Sequence, residues 1–519
     1  MTEPRVTTDD GSTPPSGLVE AVLSHESARV SGDTRALAGF LERGPSTLRV
    51  DNAGLVQGPD AIAAQLATLG ESGASSALEL TIHRAGPGVS HVVSTHVSAR
   101  GGRATVSQLW RQGDDGRWRI ATAHVSTPGN AIDSRVWRLV GSPLVAGSGA
   151  GPLRGHSVAV KDLFAVAGIR RGVGVRAVID SAPLEFVTAP AVRALLEAGA
   201  DVVGIAQTDQ FAYSIAGLNP DYGTPPNAAV PGAIPGGSSS GPATAVALGQ
   251  ATIGLGTDTA GSIRVPASYQ GLWGLRPTHG AIPMQGVSPL APSYDTVGYL
   301  TRDGETLLAA ASVGLAGAAF ARPGQRVLVP DAAVTPYEDV QAAFRGATAA
   351  LAPNADRVTL PPFAELFEAF RVTQQAEAWR AHGAWVSANP GVLAPDIAAR
   401  FAEASSVTSA REAEAIARRD RLAAELDRVL GDEVLLIPAA ASAAPLLSAS
   451  DEELEHARQA TLGLTTIAGL TGRPALSMPL MRVPGGPVGI SLVGPRGSDM
   501  SLIRTAITWA RNIGVIRVG

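Results

Sequence analysis

The apolar residues of this chain change their period twice, and each change restricts the architecture that can follow. Across residues 18–41 they recur at helical spacing (Val19, Val22, Leu23, Val30, Leu37, Phe40), with a break at Gly32-Asp33, which predicts two helices. The period then becomes two. Residues 48–50, 78–82, 92–97, 104–110 and 118–125 read as strands, the last two joined through Asp114-Asp115-Gly116. Helices followed by hairpin-linked strands predict an α+β unit of about 110 residues. Beyond residue 156 strand and helix alternate. Val158-Ala159-Val160 is strand-like, residues 190–197 form a helix with Pro190 in its first turn and Gly199 past its end, and residues 202–205 are the next buried strand. Alternation of this kind predicts an α/β sheet sandwiched by helices. Residues 363–371, 374–387 and 409–430 carry helical periodicity and are assigned to the outer layer. No internal repeat of solenoid length is present.

Composition narrows the class. With 519 residues, 45% hydrophobic and 17% charged, the chain suits a compact enzyme rich in loops. It contains no cysteine, which excludes disulfides, thiolate catalysis and thiolate-held metals. The net charge of −5 gives no support to nucleic acid or an acidic membrane as a partner. No stretch approaches the roughly 20 apolar residues that span a bilayer. Residues 1–16 are polar, carry Pro14-Pro15 and lack the basic start and apolar run of a signal peptide, so a mobile tail and cytoplasmic residence are expected. Residues 129–155, rich in Gly, Ser and Pro, read as a linker with one anchored turn near residues 136–140. The expected division is therefore a tail (1–16), a small α+β domain (17–128), a linker (129–155) and a catalytic domain (156–519).

Of the 41 basic residues, 40 are arginine and one, Lys161, is lysine. Arginine supplies positive charge everywhere else, so the exception points to something a guanidinium does not do. An ammonium can lose its proton, and burial favours that loss. A neutral amine can then serve as base or nucleophile.

The densest run of small residues is Pro235-Gly236-Gly237-Ser238-Ser239-Ser240-Gly241-Pro242, followed after a short helix and strand by Gly256-Thr257-Asp258-Thr259-Ala260-Gly261-Ser262-Ile263-Arg264. Loops at the two ends of that helix and strand can bring two serine hydroxyls together. Glycines let consecutive N–H groups converge on one cavity, a nest suited to an oxyanion. Other motifs fail. No glycine precedes the lysine as a phosphate-binding loop requires, and Gly254-x-Gly256 lacks a third glycine at the dinucleotide spacing. Gly237-Ser238-Ser239-Ser240-Gly241 fits Gly-x-Ser-x-Gly, but the prolines before it preclude the strand of a nucleophile elbow at Ser239. The nine histidines include no His-Glu-x-x-His pair, so neither metal nor cofactor is expected.

These motifs, from Ser157 to Lys161 through the two serine clusters, with Lys161, Ser238 and Ser262 spaced 77 and 24 residues apart, resemble the amidase signature family. The likeness is strong over residues 157–303 and looser to Leu502. It implies a base at Lys161, a bridging serine held by a cis peptide at Ser238, and a nucleophile at Ser262. The oxyanion hole falls on the backbone N–H groups of Thr259, Ala260, Gly261 and Ser262, with Ser239, Asp258 and Arg264 supporting the loops. The small domain, which closes on Trp118-Arg119-Ile120-x-x-Ala123-His124-Val125-Ser126, resembles the AtzH-like members of the SnoaL-like and nuclear-transport-factor-like superfamily, curved-sheet cones that commonly pair, and a homodimer is expected. Arg49, Asp51 and His124 are its candidates for a second pocket, against a purely structural or solvated role.

The resemblance implies a small-molecule amide, aryl or aliphatic, cleaved to acid and ammonia or amine. The stretches around residues 209–215 and 222–227 are similar to short amidases near plant indole-3-acetamide hydrolase, in which Glu is common where Gln210 stands. The AtzH-like unit implies an alternative, a carboxylated urea or biuret, which needs an arginine such as Arg264 or Arg371 in the acyl pocket. A non-catalytic partner subunit is the remaining alternative. Phe211, Tyr213, Trp379 and Trp385 are candidates for an aromatic pocket, or for core.

Overall fold

A computed structural model describes residues 4–31, 33–51, 54–68, 75–98, 103–126, 133–513 and 516–517. The chain divides into two compact units, Met1–Ala131 and Ile132–Gly519. In the small unit β1 (Arg5–Thr8), β2 (Leu48–Asp51), β3 (Gly54–Gln57), β4 (Ser75–Gly86), β5 (Val89–Ser98), β6 (Arg103–Gln112) and β7 (Trp118–Ser126) form one sheet, ordered β1-β4-β5-β6-β7-β2-β3. Alternate residues of β4 to β7, among them Leu80, Ile82, Val92, Trp110 and Ile120, pack with Leu18, Val22 and Ile62 from the helices Leu18–Ser31 and Pro59–Thr68. The expected helix break is made by Asp33, whose carboxylate caps the next helix by accepting the Ala36 N–H at 2.9 Å.

The N-terminal segment departs from the expected tail. Arg5–Thr8 runs parallel to β4, Val6 packs on the core, and the carbonyl of Ser16 accepts the Trp118 indole N–H at 3.0 Å. A β-branched run beside an open sheet edge gains ladder bonds that its polar composition did not suggest. Residues 1–3 lie outside the described residues.

In the large unit β8 (Trp137–Val145), β9 (Ser157–Lys161), β10 (Asp201–Ala206), β11 (Ile253–Asp258), β12 (Trp273–Arg276) and β13 (Thr296–Thr301) come first. β14 (Val327–Pro330), β15 (Asp356–Val358), β16 (Val434–Pro438), β17 (Ala475–Val483), β18 (Gly486–Val493) and β19 (Ile516–Arg517) follow. The sheet order is β15-β14-β16-β18-β17-β12-β13-β11-β9-β10-β8, with β19 beside β17. β9 runs parallel to both β10 and β11, while β8 and β13 run antiparallel to their neighbours. Both faces are covered. On β9, Val158 and Val160 enter the main core and Ala159 enters a second cluster with Ala243 and Val246 of the helix Ser240–Ala247, Ala267 of the helix Arg264–Gln270, and Ile263 just before the latter. Small residues on that second face allow close approach, for a Cβ on Gly256 would stand 2.6 Å from Ser239 Oγ.

The expected linker contributes β8. Composition hid it, but Val136 and Trp137 are buried, and Trp137 donates its indole N–H to Gln250 at 2.6 Å. Residues 129–132 lie outside the described residues. The two helical stretches expected at 363–371 and 374–387 form a single helix, Phe363–Ala388. Nothing between them breaks it, since Thr373 turns its hydroxyl back to the Phe370 carbonyl at 2.9 Å. The helix Asp451–Thr471 begins with a capping box between Ser450 and Glu453 and ends at Gly472 in the left-handed region. Among the described residues no helix is long and apolar enough to cross a membrane.

Candidate active site

Lys161 closes β9 and is fully buried. Its Nζ donates to Ser238 Oγ at 2.8 Å and to Thr257 Oγ1 at 2.8 Å. The parallel pairing of β9 with β11, Val160 opposite Leu255, brings the amine to the end of the strand that bears Thr257. Ser238 is equally buried, follows a cis Gly237–Ser238 peptide bond, and offers its carbonyl to the Thr208 hydroxyl at 2.8 Å. Burial pushes the Lys161 pKa down from 10.5 to about 7, against the opposing charges of Asp209, Asp258 and Asp295. Desolvation therefore wins, and the amine is poised to lose its proton near neutrality. Burial raises the carboxyl of Asp209, which accepts the Gly217 N–H at 2.9 Å and the Ser240 hydroxyl at 3.3 Å.

Ser262 lies in the turn between β11 and the helix Arg264–Gln270 and is 3% exposed. Asp258 organises this turn. Its Oδ1 accepts the Gly261 N–H at 2.9 Å, and its Oδ2 accepts the N–H groups of Ile263 at 3.1 Å and Arg264 at 3.3 Å. The Arg264 guanidinium meets both carboxylate oxygens, at 3.0 and 2.8 Å, and Arg276 adds a contact to Oδ1 at 3.2 Å. Burial alone would raise this carboxyl, yet the two guanidiniums and the N–H donors hold its pKa well below the usual range. Asp258 and Arg264 thus form a buried ion pair that shapes the loop. Ser239 ties the two serine segments together, donating its N–H to the Ser262 carbonyl at 3.1 Å and its hydroxyl to the Thr257 carbonyl at 3.2 Å.

One expected donor is already engaged. The Gly261 N–H belongs to Asp258, so of the four expected oxyanion donors the groups of Thr259, Ala260 and Ser262 remain. Neighbouring polar groups are pinned as well. Thr259 donates its hydroxyl to Asp295 at 2.6 Å, and Thr465 donates its own to the Ala260 carbonyl at 2.5 Å. Thr257, Asp209, Arg276, Asp295 and Thr465 escaped the sequence reading. For Thr257 a signal existed, since it sits inside the same small-residue motif as Asp258.

A cavity of about 990 Å³ lies along the helix Asp451–Thr471. It is lined by Tyr213, Arg371, Arg400, Arg458 and Gly463 but by none of Lys161, Ser238 and Ser262. Its connection to the loop is the helix Asp451–Thr471, which carries Gly463 in the cavity wall and Thr465 against Ala260 and Arg264. Of the four aromatic candidates only Tyr213 lines the cavity. Phe211 stacks among His382, Trp385 and Phe401, and Trp379 and Trp385 pack against the main core, because a large apolar ring fills a core as readily as a pocket wall. Arg264 is fixed on Asp258 and the Thr465 carbonyl and takes no part in the lining; Arg371 lines the cavity but is held by Glu368 through two contacts of 2.9 Å. Gln210 accepts the Ala394 N–H at 2.8 Å, an anchoring contact that needs no charge.

In the small unit Arg49 and His124 lie on the paired strands β2 and β7, with Val50 opposite an exposed His124; the side chain of Asp51 lies outside the described residues. The buried polar residues here are others. Glu26 faces His96 Nδ1 at 3.4 Å, and His96 Nε2 meets the Ser94 hydroxyl at 2.7 Å.

Comparison with known proteins identifies the family. The Amidase family profile matches residues 144–316 and 327–503, from within β8 to the last long helix. Amidase 1 of Arabidopsis thaliana is 35% identical over 70% of this chain and 94% of its own length. The 2-amino-5-chloromuconic acid deaminase of Comamonas testosteroni is 34% identical over 70% of this chain and 82% of its own. A solved amidase superposes with a TM-score of 0.64 at 30% identity, covering 73% of this chain and 92% of its own. The profile spans well over half of the sequence and the relatives are matched over most of their own length, so the chain belongs to the amidase family of hydrolases.

Proposed function

We propose that Ser262 is the nucleophile, Ser238 the proton relay and Lys161 the base of a serine amidohydrolase that cleaves a small carboxylic amide, aryl or aliphatic, to its acid and ammonia or amine. Serine attacks only when a base removes its proton. Neutral Lys161 takes the Ser238 proton as Ser238 takes that of Ser262, and Ser262 Oγ adds to the amide carbonyl. The N–H groups of Thr259, Ala260 and Ser262 stabilise the oxyanion. The relay then runs in reverse, the departing nitrogen receives the proton, and water releases the acid from the acyl-enzyme.

The observation that carries this reading is the 2.8 Å contact between Lys161 Nζ and Ser238 Oγ in a site whose burial strips the amine of its charge near neutrality. It weighs against a non-catalytic scaffold, which has no use for a buried, deprotonatable lysine. For the small unit, a seven-stranded sheet packed on helices supports the AtzH-like cone. The test is ammonia release from arylacetamides, aliphatic amides and carboxylated ureas by the wild type and Lys161→Arg. Turnover lost in a folded arginine variant is the expected result; equal turnover in both would sink the mechanism.

A further inference from the structure

The cavity along the helix Asp451–Thr471 collects three arginines and the carboxylates of Glu368, Asp396, Glu403 and Glu455, and the arginines are not equivalent. Arg371 is clamped by Glu368, and Arg400 donates to the Tyr213 carbonyl at 2.5 Å and pairs with Asp396 at 3.3 Å. Among the described residues Arg458 has one hydrogen-bond partner, Glu455, which meets Nη1 at 2.9 Å. Its Nε is buried without an acceptor, and the side chain, 22% exposed, lines the cavity. The Nε and Nη2 edge of a guanidinium is the planar fork that receives a carboxylate through two parallel bonds. An unfilled buried donor is costly, and a ligand that fills it is bound selectively. Burial, and after it the charge of Arg400, lowers the Arg458 pKa from its usual value.

Position on the helix sets the distance. Arg458 and Thr465 both lie on the helix Asp451–Thr471, seven residues apart, and so share one face of it. Thr465 touches the nucleophile loop through Ala260, and seven residues advance a helix by about 10 Å. An anion on Arg458 therefore stands well away from a carbonyl at Ser262. We infer that Arg458 receives a carboxylate of the substrate, so that the enzyme selects amides whose far end is an acid separated from the scissile carbonyl by several carbons or an aromatic ring. The inference rests on the amidohydrolase reading and narrows its substrate. It disfavours carboxylated ureas, whose acid group is too near the reacting carbon.

Monoamides of linear dicarboxylic acids, from malonamate to adipamate, tested against neutral primary amides of equal length, provide the experiment. In the wild type, kcat/KM for the acid over its neutral counterpart should rise along the series to about tenfold or more at adipamate, the value of a charged hydrogen-bonded contact. Arg458→Gln should bring that ratio close to one, and Arg458→Lys, which keeps charge without the fork, should restore part of it. Because the ratio is internal to each variant, a general loss of folded enzyme does not imitate the effect. A wild type with no preference for the acids, or a preference that survives Arg458→Gln, overturns the inference. Calorimetry of adipamate on Ser262→Ala separates the two claims. Binding that depends on Arg458 without turnover by the wild type would refute the amidohydrolase reading alone, whereas turnover of neutral amides with no adipamate preference would refute the anion site alone.

Discussion

Lys161 Nζ meets Thr257 Oγ1 at 2.8 Å, the same separation at which it meets Ser238. The threonine thereby fixes the direction of an otherwise flexible amine and leaves it aimed at the serine. Thr257→Val keeps the shape and removes the acceptor. It should lower kcat about tenfold with little change in KM, the value of one hydrogen bond to a charged group. The acid limb of the pH profile should also move to lower pH, since the lost acceptor favoured the ammonium. Unchanged kcat and an unmoved limb would show that Thr257 is packing only.

The pH dependence has a definite sign. Only neutral Lys161 accepts a proton, so kcat/KM for a neutral amide should climb about tenfold per pH unit below about 7 and level above it. Stability moves the same way. Between about 7 and 10.5 the unfolded chain holds a proton that the buried amine has released, and the folded state gains as pH rises through that window. Lys161→Met should therefore be more stable than the wild type at pH 6, by a margin in urea midpoint that shrinks towards pH 10. A margin independent of pH would contradict the burial argument.

Removing one partner of a buried ion pair leaves the other charge stranded. Arg264 and Asp258 side chains are 2% and 0% exposed, and Arg264→Ala should destabilise the protein by about 3–5 kcal/mol in chemical denaturation. The low end of that range is expected, because Arg276 still reaches Asp258 at 3.2 Å. Activity should fall further than stability, since the turn around Ser262 hangs on the same carboxylate. Arg264→Lys should recover little, for an ammonium does not reproduce the two-point contact.

What the sequence made legible was local. A single lysine among forty arginines, and glycine–serine clusters at loop ends, mark chemistry without reference to the rest of the chain, and strand–helix alternation marks a covered sheet. What stayed hidden depends on partners distant in sequence. Arg276 lies in an apolar strand, and only its contact with Asp258, 18 residues earlier, explains it. The strand Trp137–Val145 hides in a Gly, Ser and Pro-rich stretch because its ordering comes from the edge of β10 and not from its own propensity. Among the aromatic candidates Tyr213 and Phe211 are equally plausible by type, and only packing separates wall from core.

That hidden strand carries the last prediction. Arg138 projects from β8 to Asp162, the residue after Lys161, at 2.8 Å, with side chains 9% and 1% exposed. Burial already raises the Asp162 carboxyl from 3.8 to about 6 despite the arginine. Without Arg138 the carboxyl is raised further, and the folded state must either hold a proton or bury a lone charge. At pH 5 the proton is available and the cost is small. At pH 8 it is not, and the loss should approach about 3 kcal/mol. The stability difference between wild type and Arg138→Ala should therefore widen from pH 5 to pH 8 in urea titrations. A difference that stayed constant would mean that β8 holds through its backbone pairing and Trp137 alone, with the carboxylate solvated by other means.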